Sequence, residues 1–294
     1  MTGPQVLVAV SGAIGDDGPM RPATQNLVSG AAQFARYAFP PNELGYCGPA
    51  GAHVLLESGS TGADQAEIAD RARQFEGAWQ YLEIIAAAAG IDDPLDSRVV
   101  EAYWLGNELL DRVEPGACAE QLRERFVGQI TSGLDAEPQL PAIEAVPQHS
   151  FHVFTVYPWV GMLTGERSQP GSGTPAGSDA VAVSVLDRCR IRWGEVTEVE
   201  RERLQVLSQP LTWDGRELAL GPAQPETVRW TDAGRSLLET VHPGQQVALH
   251  WDWACDHLDS DQLRMLERYT QRQLAATNSW LAARRGDAHR AGAG

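Results

Sequence analysis

Two sets of residues in this chain are of the types that metal and thiol chemistry uses. The first is Cys189 with His250. A thiolate is a strong soft ligand for iron, and an imidazole either ligates beside it or positions a proton there. The second is Cys47, in GYCGP, with His149 and His152, in HSFH. A thiol in a glycine-flanked loop is accessible and paired histidines ligate metals, so this set reads as a separate thiol- or metal-dependent centre. Arg188 and Arg190 flank Cys189, and two such charges would favour its thiolate by direct attraction.

Each residue also has an ordinary reading. Cys189 is equally a half-buried strand cysteine acting as a small hydrophobe, and His250 a strand histidine bonded to backbone. Cys47, His149 and His152 are equally parts of a packed loop and strand. Asp252, Cys255 and His257, in HWDWACDHL, invite a metal reading, but alternation along one strand sends His250 and Asp252 to one face and Cys255 and His257 to the other. The aromatic series Trp79, Tyr81, Tyr103, Trp104, Phe151, Phe154, Tyr157 and Trp159 lines either a pocket or a core. SGAIGDDG lacks the G-K-[ST] ending of a phosphate loop. The pairs Asp92-Asp93 and Glu198-Glu200 fall in exposed contexts and take no catalytic role.

The elements that would position these residues divide at Ser168–Asp179, SQPGSGTPAGSD, whose composition marks a linker. Before it, a flexible segment over 1–21 leads into a mainly helical domain, 22–167. Helical spacing runs from Pro22 to about Arg36 and stops at Pro40-Pro41. Cys47 follows in a Gly- and Pro-rich turn. Further helices are expected over Asp64–Ala89, over Asp96–Val113 with Asp96 or Ser97 as cap, and over Cys118–Leu134. After the linker, AVAVSVLD, CRIRWGEVTEVE and RLQVLSQPLTW are β-branched and roughly alternating, and WDG supplies a turn. An amphipathic helix from Asp259 or Ser260 closes a small β domain over 180–284, with a frayed tail over 285–294. The expected class is α+β: a mainly helical N-terminal domain and a small OB-like β-barrel domain with a C-terminal helix.

Two stretches of the β domain, CRIRWGEV (Cys189–Val196) and VHPGQQVALH (Val241–His250), taken in order, resemble the HypC/HupF family of hydrogenase maturation chaperones. Cys189 and Gly194 fall in register with that family's opening cysteine and glycine, and His250 with its strand histidine. Here the cysteine is internal rather than next to the initiator Met, and Trp193 stands where the family has Pro. The resemblance covers about a third of the chain and implies a small barrel with a helical tail. It implies a partner- and iron-binding face made by Cys189, His250 and Gly194, with Cys189 as ligand and His250 as helper. It implies as partners a HypD-type maturation protein and the hydrogenase large-subunit precursor, with iron held transiently and no resident cofactor. The helical domain would select the partner. The alternative, drawn from the residues alone, is an enzyme centred on Cys47, His149 and His152 with the β domain as scaffold.

Bulk properties bound both readings. At 294 residues, 43% hydrophobic and 21% charged, the chain has the composition of a globular protein. A net charge of -16, with no basic aromatic stripe, opposes nucleic acid. No apolar run reaches a membrane span. The short apolar run near the N-terminus has no Lys or Arg before it, and the four cysteines include no C-x-x-C pair. Cytoplasmic residence and free thiols are therefore expected.

Overall fold

A computed structural model describes residues 28–126, 145–163 and 177–291. The chain is α+β. Helices α1 (Gly30–Glu43), α2 (His53–Thr61), α3 (Gln65–Ala72), α4 (Glu76–Ala89), α5 (Ser97–Trp104) and α6 (Pro115–Arg125) come first. A single turn, α7 (His149–Phe151), then runs into a π turn (His152–Val156). After α8 (Ser178–Cys189) come strands β1 (Arg192–Val199), β2 (Arg203–Ser208), β3 (Leu211–Trp213), β4 (Leu218–Leu220), β5 (Gln224–Arg229), β6 (Thr231–Asp232), β7 (Arg235–Ser236), β8 (Gln246–His250) and β9 (Trp253–His257). Helix α9 (Ser260–Ala291) follows. Among the described residues no helix is long and apolar enough to cross a membrane.

The main sheet closes into a barrel in the order β1-β2-β5-β9-β8, with β5 and β9 parallel and the other pairs antiparallel. Leaving out the two small hairpins, that is strand order 1-2-3-5-4, the OB-like barrel expected from the alternating pattern. Val196, Leu204, Val206, Val228, Val247 and Leu249 fill it. Gly194 lies mid-strand opposite Val247 and Ser208. A Cβ there would come within 3.1 Å of Val206 Cβ and 3.3 Å of Leu249 Cδ1. Gly194 is therefore a barrel-packing position.

Helical part and barrel share one core. Every residue of α1 from Gly30 to Asn42 is buried, as the small side chains of Ala31, Ala32, Ala35 and Ala38 allow close approach on several sides. One apolar cluster runs from Phe34, Tyr37 and Phe39 through α4 and α5 to Ala248, Trp253, Leu258 and Tyr269. The end of α1 is pinned to the barrel by Glu43, which accepts from Trp253 Nε1 at 3.0 Å and from Arg229 at 2.9 Å.

Several boundaries differ from the sequence expectation. Pro40 and Pro41 lie inside α1, in its last turn, where the helix continues to Glu43. AVAVSVLD belongs to α8, not to a strand. The valines alternate, but the buried Ala182, Leu186 and Cys189 follow i, i+4, i+7 spacing, and packing on that stripe prevails over β-branched propensity. Cys189 accordingly ends a helix. The run Asp64–Ala89 splits into α3 and α4 at Arg73–Phe75, and Asp96–Val113 breaks at Gly106. Gly106 has φ +93°, and Tyr269 of α9 packs where its Cβ would be. The strand reading of HWDWACDHL gives way to a hairpin turned at Trp251 and Asp252, with Trp251 at φ 53°. Helix α6 starts at Pro115, and α9 continues through the expected tail to Ala291. Of the expected linker, Ser178 and Asp179 open α8 and the stretch through 176 lies outside the described residues, as do the segment over 1–21 and the end of the Cys118–Leu134 helix.

Gly194→Leu should overpack the barrel and cost about 1–3 kcal/mol, seen as a lower urea midpoint at unchanged m-value. Unchanged stability would mean that the barrel interior has room at this position.

Candidate functional site

Cys47, His149, His152, Cys189 and His250 all line one cavity of about 230 Å³. The two sets separated in sequence are one site, between the helical part and the barrel. One ligand atom from each of His149, Cys189 and His250 lies within 4.8 Å of the others, and all three residues are buried. Cys47 and His152 share the cavity but stand outside that trio.

His250 ends β8 just before the hairpin turn. Its Nδ1 donates to the Tyr37 carbonyl at 2.7 Å. Helix geometry would give that carbonyl to the N–H of residue 41, but residue 41 is proline and has none. The proline pair thus leaves an acceptor open inside a buried helix, and the imidazole fills it. With Nδ1 protonated, Nε2 is a lone pair, and it is buried without a hydrogen-bond partner.

His149 opens α7, where Gln148 caps the turn by accepting from Ser150 N at 2.8 Å and anchors it by donating to the Trp104 carbonyl at 3.2 Å. Its Nε2 lies 2.8 Å from the Cys189 carbonyl and its Nδ1 3.2 Å from the Tyr103 hydroxyl, which also donates to the Gly77 carbonyl at 2.8 Å. Tyr103 has one proton. The Cys189 carbonyl can only accept, so His149 Nε2 carries the ring proton and donates to it, and Nδ1 is an acceptor facing the Tyr103 hydroxyl, whose proton lies between it and the Gly77 carbonyl. To ligate a cation through Nε2, His149 would have to move that proton to Nδ1 and give up the bond to the Cys189 carbonyl. Metal-bound histidines characteristically donate their other N–H to a protein acceptor, and the Tyr37 carbonyl is such an acceptor for His250.

The third member, Cys189, comes from the last position of α8. Burial, and then the neighbouring Cys47 sulfur, push its thiol pKa well up. The flanking arginines do not offset this. Arg190 is buried and paired with Asp187 and the Gln209 carbonyl, and Arg188 lies over the Trp251 ring. Cys47, held by Asn42 donating to its carbonyl at 2.7 Å, has its thiol raised to about 12 by burial. Burial lowers the histidines: His149 to about 4, His152 to about 3 with His149 contributing, and His250 well below the usual range. The resting site is two thiols and three neutral imidazoles. Neither thiol is an activated nucleophile, because the activating cation such a cysteine needs is not placed beside it.

A donor set of two imidazoles and one thiolate suits iron, zinc or copper, and three protein ligands leave a position open for a further group. Atoms bound to one tetrahedral ion lie roughly 3.3–3.8 Å apart, so the trio, whose atoms lie within 4.8 Å of one another, would have to draw in by up to about 1 Å to share an ion. The orphaned Nε2 of His250 is the observation that a metal ion fits best.

Residues 26–284 match the model of a family of unknown function, DUF6390. The chain belongs to that family. No curated protein and no solved structure matches the chain. All five cavity residues fall within the DUF6390 match, which covers the helical part and the barrel together. Of the aromatic series, Tyr103, Trp104, Tyr157 and Trp159 line the cavity, whereas Phe151 and Phe154 pack in the cores and Trp79 bonds Glu83. Trp251, beside His250, also lines it and was legible only as part of HWDW. Tyr81, which bonds His152 Nδ1 at 3.0 Å, carried no separate signal.

The buried histidines set an acid limit on this DUF6390 fold. Their folded pKa values lie below the unfolded value, so the unfolded chain binds more protons between pH 6.5 and 4, and stability is lost as pH falls through that window. For His149 alone the loss approaches the order of 3 kcal/mol at pH 4. Urea unfolding at pH 7.5, 6 and 4.5 should fall steeply over this range and less steeply in His152→Phe. A flat profile would mean that the rings protonate within the fold. At pH 7.5 the native protein should react slowly with iodoacetamide at both Cys47 and Cys189; a fast stoichiometric reaction at Cys47 would reinstate the thiol-enzyme reading.

Proposed function

We propose that this protein is a cytoplasmic accessory factor of [NiFe] hydrogenase maturation, which holds iron as cargo through Cys189, His250 and His149. The observation that carries the reading is the convergence of Cys189 and His250. These two residues carry the HypC/HupF resemblance, lie far apart in sequence, and contribute ligand atoms to one buried trio. The barrel order and the following helix agree with the fold that resemblance implies. All four cysteines are free thiols, as a reducing compartment favours.

In this reading each residue has a distinct task. Cys189 supplies the anionic sulfur, losing its proton on binding because a coordinated thiol is deprotonated. His250, oriented by Tyr37, supplies a neutral nitrogen, and His149 would supply another once its Nε2 released the Cys189 carbonyl and its proton passed to Nδ1, beside Tyr103. His149 comes from the helical part and stands in for the terminal amine that an internal cysteine lacks. The helical part thus completes the site, in addition to offering the surface that selects a HypD-type protein or a large-subunit precursor. The rim residue Tyr46 is 55% exposed and stacks on Trp251 at 4.3 Å, which puts the way in and out of the cavity at a surface a partner can reach.

The test is anaerobic affinity purification of the tagged full-length protein from its host, comparing wild type with Cys189→Ala and His250→Ala. Wild type should retain about one equivalent of iron together with a large-subunit precursor or a HypD-type protein, and both variants should lose the iron. Retention of neither by wild type would sink the maturation reading. Iron retained equally by Cys189→Ala would remove the trio as its site.

A further inference from the structure

Four buried side-chain nitrogens at the cavity have no hydrogen-bond partner among the described residues, and together they describe a ligand. Trp104 and Trp251 are each 3% exposed and line the cavity, and each has an indole N–H without an acceptor. An indole nitrogen only donates. Each ring is held by a stacked tyrosine, Trp104 by Tyr37 at 5.4 Å and Trp251 by Tyr46 at 4.3 Å, so these N–H groups are fixed in place. Nε2 of His152 is the third. With Tyr81 donating to Nδ1 at 3.0 Å, the ring proton sits on Nε2 and makes it a donor. The fourth, Nε2 of His250, is a lone pair, because Nδ1 donates to the Tyr37 carbonyl. His149 is satisfied at both nitrogens and is not among them. Buried polar groups are as a rule paired, so three donors and one acceptor call for an occupant with the complementary set.

Charge and size narrow the occupant. None of the residues lining the cavity is Asp, Glu, Lys or Arg, and an uncompensated charge in such an enclosure is costly, so the occupant is neutral. The walls are largely rings, among them Phe75, Tyr157 and Trp159, which favour a flat partner stacked or edge-on. An apolar cavity of roughly 150 Å³ is enough for benzene. At about 230 Å³, this one admits a single ring with one or two substituents.

We infer that the cavity is a receptor for a small uncharged heterocycle of the cyclic-amide kind, whose carbonyl acceptors take the N–H groups of Trp104, Trp251 and His152 and whose ring N–H donates to His250 Nε2. Binding needs no ion and does not rest on the metal reading, although ring and iron exclude one another at His250 Nε2. Trp104 and His152 come from the helical part and Trp251 and His250 from the barrel hairpin, so the ligand is clasped across the two.

The test is calorimetric titration of full-length, chelator-treated protein at pH 7.5 with 2-pyridone, N-methyl-2-pyridone, 2-pyridone-5-carboxylate and toluene. Wild type should bind one equivalent of 2-pyridone. Methylation of the ligand nitrogen removes its donor and should weaken binding about fivefold, the worth of one hydrogen bond; toluene and the carboxylate should bind about tenfold more weakly or worse. Trp104→Phe and Trp251→Phe remove one N–H each while keeping an aromatic ring, and each should lower the affinity for 2-pyridone relative to toluene about fivefold. Trp230→Phe, whose N–H is paired with the Glu200 carbonyl, should leave that ratio unchanged. Should Trp104→Phe unfold, Trp251→Phe and the N-methyl comparison decide. No binding of 2-pyridone, toluene binding as tightly, or a ratio equal in all variants overturns the receptor, and the cavity then takes water or apolar matter only. Carboxylate binding as tight as that of 2-pyridone overturns the neutral ligand class. Because the titrated protein is stripped of metal, failure of the iron reading in the purification experiment leaves this result untouched, and the reverse holds.

Discussion

The arrangement hangs on one hydrogen bond, from His250 Nδ1 to the Tyr37 carbonyl at 2.7 Å. It exists because Pro41 withholds the N–H that would close the α1 helix at that carbonyl. An acceptor left open in the middle of a buried core must find a donor, and the end of β8 supplies it. The bond does three things together: it satisfies the helix, it docks the barrel on α1, and it fixes the imidazole tautomer so that Nε2 is the free nitrogen. Shifting the proline pair by one residue would move the open carbonyl around the helix and away from β8.

Burial governs the electrostatics of the cavity. With no charged side chain lining it, its cysteines and histidines are driven to their neutral forms: thiols up, imidazoles down. Such a site is poor at nucleophilic catalysis, which needs a thiolate stabilised by a nearby cation. It suits a metal ion, because the imidazoles are already deprotonated and a single thiol must release a proton. The tyrosines belong to the same logic. Tyr103 and Tyr81 are held neutral by burial, so they orient His149 and His152 by hydrogen bonds without adding charge.

The sequence made the barrel legible because alternation over β1 and β2 and the hairpin residues of WDG report directly on local structure. Cys189 and His250 were legible as a pair through motif register, although Cys189 was placed in a strand: period-2 valines and a helical burial stripe coexist in Ala180–Cys189, and packing chooses between them. Gly194 was legible as a distinctive position through the same register, and its lack of Cβ serves barrel packing. Cys47, His149 and His152 were legible as chemically capable residues but not as neighbours of Cys189. Their meeting depends on α1 packing against β8 and β9 and on α7 docking against α8, contacts between segments remote in sequence that no local pattern encodes.

Fusion of a helical part to an OB-like barrel changes what the barrel can do. On the barrel side, Cys189 packs with Leu186, Leu211, Trp251 and Leu274, and His250 lies at the end of β8. The helical part contributes the anchor at Tyr37, the third candidate ligand at His149, and walls at Tyr103 and Trp104. It therefore completes a buried group of three candidate ligands beside a cavity lined from both halves. Because the enclosing residues come from both halves, loosening their contact would alter ligand geometry, solvent access and thiol acidity together. Tyr46, 55% exposed and stacked on the buried Trp251 at 4.3 Å, is the exposed edge of that shared lining.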